Sequence, residues 1–89
     1  MDNTQHLALM DKIIRELDDL RNSQTSVLKK IAQIEADNIN LGSELLSEGL
    51  PGIHEEVDGA VEKVTELLEQ FREGRNEFEK EHPAPTITT

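Results

Sequence analysis

The stretch from Met10 to Leu45, MDKIIRELDDLRNSQTSVLKKIAQIEADNINLGSEL, decides the fold. Its apolar series runs Met10, Ile13, Leu17, Leu20, Val27, Ile31, Ile34, Leu41 and Leu45, with Gln24 and Asn38 filling the two polar places. The steps alternate strictly between three and four residues, which keeps one helix stripe apolar for five heptads. The pattern returns as Ile53, Val57, Ala60, Val64, Leu67, Phe71, Gly74 and Phe78. With Ile13 and Ile53 placed at d, Leu17 and Val57 fall at a. No alternation of strand period competes, so the expected class is all-α.

Outward from this core, local signals set the expected boundaries. Asp2 or Thr4 can cap the first helix, and Asp2-x-x-Gln5 has the spacing of a capping box. Gly49-Leu50-Pro51-Gly52 is the strongest interruption: a glycine suited to a left-handed helix end, then a proline suited to the first turn of the next helix. His82 precedes Pro83, which should end the second helix near Glu81. The expected fold is therefore an antiparallel two-helix coiled-coil hairpin. It has a long helix over about 4–48, a turn at 49–52, a helix over about 51–81 and a Pro/Thr-rich tail at 83–89. The poor helix formers at 38–43 are read as at most a mild kink, because the heptad phase continues through them.

A turn there pairs residues whose numbers total 98, matching Ile53 with Leu45 and Phe78 with Leu20, and setting polar Gln24 and Asn38 against small Gly74 and Ala60. Gln24 and Asn38 are accordingly read as polar seam positions that fix register, and Asn38→Leu as a change that raises stability while loosening oligomer choice. The same register leaves residues 4–17 as an apolar overhang of the first helix. Leu7, Met10, Ile13, Ile14 and Leu17, with a second stripe of e residues at Ile14, Leu28, Val61 and Leu68, then form the expected partner or oligomer interface. Together these features predict packing into a helical bundle by self-association, as a dimer or a higher oligomer.

Composition narrows the function. Leu, Ile, Val and Phe supply 24 of 89 residues, enough for a folded chain, and there is no cysteine to form a disulfide or a thiolate metal site. Nineteen acids against nine bases give a net charge of −10, which argues against direct contact with nucleic acid. No apolar run suits membrane insertion, and the N-terminus lacks the marks of a cleaved signal peptide, so a cytoplasmic place or one within a protein assembly is expected. Glu55, Asp58, Glu62, Glu66, Glu69, Glu73 and Glu77 form an acidic ridge on the second helix, best read as a solvated face. Its functional alternative is an acidic inhibitor of a basic surface, an antitoxin or a nucleic-acid mimic. His6, His54 and His82 are too scattered for a metal site, even with Asp58 one turn beyond His54, and no serine has a histidine near enough in sequence to serve as its base. Neither catalytic nor cofactor-binding residues are assigned. The expected role is a non-enzymatic assembly or adaptor protein that self-associates, binds other proteins through apolar helix faces, and belongs to a larger complex such as a secretion or virion assembly.

Overall fold

A computed structural model describes residues 2–82. Two helices, α1 (Asn3–Leu41) and α2 (Glu44–Glu81), pack against each other in a rod of 69 × 20 × 17 Å. The chain is an antiparallel helical hairpin, and no strand occurs among the described residues. The expected N-terminal box forms: the Asp2 carboxylate accepts from the Gln5 N–H at 2.8 Å, and the Gln5 side chain accepts from the Asp2 N–H at 3.2 Å. The expected end at Glu81 also holds. The tail expected at 83–89 lies outside the described residues.

The turn is not at 49–52. It is the two-residue link Gly42-Ser43, within the stretch read from sequence as a mild kink. Gly42 adopts φ +70°, the left-handed conformation that closes α1, and its N–H donates to the Asn38 carbonyl at 2.7 Å. Ser43 then caps α2, its hydroxyl accepting from the Leu46 N–H. Asn38 locks the corner. Its Oδ1 accepts from the Ser43 N–H at 2.9 Å, and its Nδ2 donates to the Ser43 carbonyl and to Ser47 Oγ. Pro51, the expected start of a helix, lies instead at the eighth position of α2.

Burial explains the choice. A turn at 42–43 divides the chain into arms of 39 and 38 residues, so neither outruns the other. Carrying Pro51, Gly49 and Gly52 inside a helix costs on the order of 3 kcal/mol for the proline and up to about 1 for each glycine. Covering Leu7, Met10, Ile14 and Leu17, otherwise stranded in water, returns roughly 1.5 to 3 kcal/mol for each side chain fully buried. The expected overhang at 4–17 accordingly does not exist: Leu7 is buried, and the other three are half-buried.

Moving the turn changes the register and the seam. Cross-helix partners now total about 85 rather than 98, as in Asn38 with Ser47 and Asp11 with Arg75. The residues that meet are those at a (Met10, Leu17, Gln24, Ile31, Asn38; Leu50, Val57, Val64, Phe71, Phe78) and at e (Leu7, Ile14, Arg21, Leu28, Glu35; Ser47, His54, Val61, Leu68, Arg75). Leu7, Ile31, Leu50 and Leu68 are the buried apolar side chains among the described residues, and Leu68 is fully enclosed. The d residues, expected in the seam, face outward, and the e residues, expected outside it, lie within.

Candidate functional site

Polar e residues find partners because they lie in the seam. Arg75 Nε donates to Asp11 Oδ1 at 2.8 Å and its Nη2 to Oδ2 at 3.3 Å, a two-pronged bond between helices, while Nη1 reaches Glu79 at 3.0 Å. His54 Nδ1 lies 2.8 Å from Glu35 Oε1, again across the hairpin. Arg21 pairs with Asp18 one turn before it. At the open end, Phe78 is stacked between His6 and His82, with ring centroids 4.1 and 4.6 Å away.

The Arg75 hydrogen bonds hold the Asp11 carboxyl below the usual carboxylate range, and the positive charges of Arg75 and Arg15 act the same way. A depressed folded-state value means that this contact contributes above the unfolded value near 3.8 and is lost as pH falls through the folded one. Asp11→Asn should therefore flatten the part of the stability–pH curve below about pH 4, read by urea melts across pH 2 to 6.

The two flanks of the seam differ sharply. On one side the b positions carry Asp11, Asp18, Thr25, Ala32 and Ile39 on α1, and Pro51, Asp58, Thr65, Arg72 and Glu79 on α2. On the other the d positions carry Ile13, Leu20, Val27, Ile34 and Leu41, and Leu46, Ile53, Ala60, Leu67 and Gly74. Like flanking positions of antiparallel neighbours share a side of the pair, so these ten d residues form one continuous apolar face, bounded at the open end by the remaining d residues, His6 and Glu81. Leu20, Val27, Ile34, Leu41, Ile53 and Leu67 on this face are 43 to 72% exposed. Leu9, 44% exposed, borders it at a g position.

The interface residues expected from sequence lie elsewhere. Leu7 and Leu68 are buried, and Met10, Ile14, Leu17, Leu28 and Val61 are half-buried within the hairpin's own seam; Ile13, itself half-buried, is the one of that set at a d position. Asn38 fixes the turn. Gln24 remains a seam residue, now level with Val61, and its Oε1 is buried without a hydrogen-bond partner. Glu55, Asp58, Glu62, Glu66, Glu69, Glu73 and Glu77 are all exposed; all but Glu77, at a g position beside it, lie away from the d face. Beside the turn an open depression of about 390 Å³ is lined by Asn38, Ile39, Leu46, Leu50 and Pro51 among others, with the Asn38 amide already committed to the corner. Among the described residues no group of three or more metal-ligating side chains gathers, and no helix is long and apolar enough to cross a membrane.

The d face was visible in sequence as a stripe but assigned to the wrong partner. The signal that separates the two stripes is polarity: e holds Arg21, Glu35, His54 and Arg75 along the length of the rod, and Glu35–His54 and Arg75–Asp11 bond across the seam, whereas d holds polar side chains only at the open end, His6 and Glu81. No family model matches the chain, and no curated protein or solved structure proves similar to it.

Proposed function

We propose that this chain is a non-enzymatic assembly or adaptor protein that self-associates and engages protein partners through its apolar helix face, as one component of a larger complex. One observation carries this reading: the hairpin closes on its more polar stripe and leaves its more apolar one, with Leu20, Val27, Ile34, Leu41, Ile53 and Leu67, largely facing water. A chain that ended as a solitary hairpin would gain more by burying d than e. A face of this extent on a small protein marks an interaction surface. Its exposed side chains are roughly half covered already, so completing their burial contributes on the order of 1 kcal/mol each, and both partners contribute. That total is enough to overcome association costs of roughly 4 to 15 kcal/mol.

Ile34→Asp places a charge in the α1 part of the face, at a side chain that is 44% exposed and outside the a/e seam of the hairpin. Sedimentation should show this variant as a monomer where the parent associates, with circular dichroism unchanged. Glu66→Lys, on the acidic ridge, should leave association intact. The opposite outcome, a silent Ile34→Asp and a damaging Glu66→Lys whose parent contact weakens steeply with salt, favours the acidic-inhibitor reading.

A further inference from the structure

Resting on that self-association, we infer that the occupant of the d face is a second copy of this chain laid antiparallel. The turn of one hairpin lies beside the open end of the other, with α2 on α2 and α1 on α1 about a two-fold axis through the middle of the rod. The residue sizes along α2 select this arrangement. A two-fold axis across the rod pairs d residues whose numbers share one total. At 127, Ile53 meets Gly74 and Ala60 meets Leu67, each large side chain facing a small one, while Leu46 meets the exposed Glu81 at the two ends, and symmetry repeats all three pairs. One heptad lower, Ile53 collides with Leu67 and Ala60 faces Ala60 across a void; one heptad higher, Leu67 meets Leu67 and Ala60 faces Gly74. Only the middle register interdigitates.

The same register also centres the two rods on each other. A total of 127 sets the axis between residues 63 and 64, beside the midpoint of Glu44–Glu81. Through the hairpin's own register the axis falls near residues 21 and 22 of α1, the midpoint of Asn3–Leu41. Leu9 and Ile34, both 44% exposed, then meet across the copies. Leu20 of each copy enters between Leu20 and Val27 of the other. At the rim, Glu16 of one chain lies within about 4.5 Å, in level along the rod, of Lys30 of the other, and the pair occurs twice. The space where a Gly74 side chain would stand is open to receive Ile53 of the second copy. The acidic ridges, apart from Glu77 at a g position of the rim, point away from the joint, as two chains of net charge −10 require. Lys63 meets its own copy at the axis, the one like-charge encounter at the rim.

The chain has no cysteine, so single cysteines report geometry cleanly. Lys63→Cys should be captured as a covalent dimer by a short bis-thiol cross-linker. Asn40→Cys should not, because antiparallel copies hold their tips about 55 Å apart. Gly74→Leu meets nothing within its own chain and should weaken self-association about tenfold, the effect of overfilling one packed contact. Adding Ile53→Ala should restore it by exchanging the large and small partners. If sedimentation finds the parent monomeric at high micromolar concentration, both this arrangement and the self-association beneath it fail. If the parent associates but Asn40→Cys cross-links and Lys63→Cys does not, or Gly74→Leu associates unchanged, self-association stands and the antiparallel packing is overturned.

Discussion

Pro51→Ala is expected to raise the unfolding free energy by about 2 kcal/mol, a gain few single substitutions produce. The magnitude follows from two opposing effects. A proline inside a helix leaves the carbonyl four residues before it, here that of Ser47, without its N–H and crowds it with the ring, at about 3 kcal/mol. Proline also stiffens the unfolded chain, which returns at most about 1. Removing it should therefore leave a net stabilisation, visible as a higher urea midpoint at matched protein concentration with the slope unchanged. The experiment also locates the turn. Were residues 49–52 the corner, Pro51 would occupy a first-turn position that favours proline, and alanine there would be neutral or destabilising.

Asn38→Leu is expected to act in the other direction, by about 2 to 3 kcal/mol, or a melting temperature lower by about 10 °C or more. Sequence alone suggests a gain, since leucine at a heptad a position normally strengthens a seam. The structure reverses the sign. Asn38 is only 7% exposed and makes three side-chain hydrogen bonds around the corner, one of them accepting the Ser43 N–H. Leucine would strand that donor beside an apolar side chain, and each such loss costs about 1 kcal/mol or more. Asn38→Asp keeps the acceptor and should fall between the two, which separates loss of the corner from a general effect of volume. A thermal melt in which Asn38→Leu equals or exceeds the parent would remove Asn38 from the turn.

These two residues also show where sequence reading succeeds and where it stops. The Asp2 box, the end at Glu81 and the helical period are legible because each depends on a few neighbouring residues. The corner is not, because two sites bid for it and local rules favour the wrong one. Gly49-Leu50-Pro51-Gly52 holds three breakers in four residues, whereas Gly42-Ser43 offers a single glycine followed by a capping serine. What decides between them is distant: whether Leu7, Met10, Ile14 and Leu17 find α2 beside them. The clue lay in the unequal arms that a corner at 49–52 implies, since equal arms bury more. The seam was misassigned for a related reason. Both d and e make acceptable helix stripes by period, and only the pairing of Arg75 with Asp11 and His54 with Glu35 shows which one closes on the chain itself.

The two-residue link also governs how the rod bears load. Because α1 and α2 are nearly equal in length, Asp2 and His82 emerge at the same end. Tension between them acts perpendicular to the seam and loads one layer at a time, beginning where Phe78 is stacked between His6 and His82. Each layer yields before the next is stressed, so the hairpin should peel open at low force, with the Asn38 corner released last. Force applied along the rod, from the corner to the open end, runs along the helix axes instead of across the seam, is borne by the many backbone hydrogen bonds of the helices, and should be resisted more strongly. An optical-tweezers comparison of these two pulling directions would register the difference as two widely separated rupture forces in the same molecule.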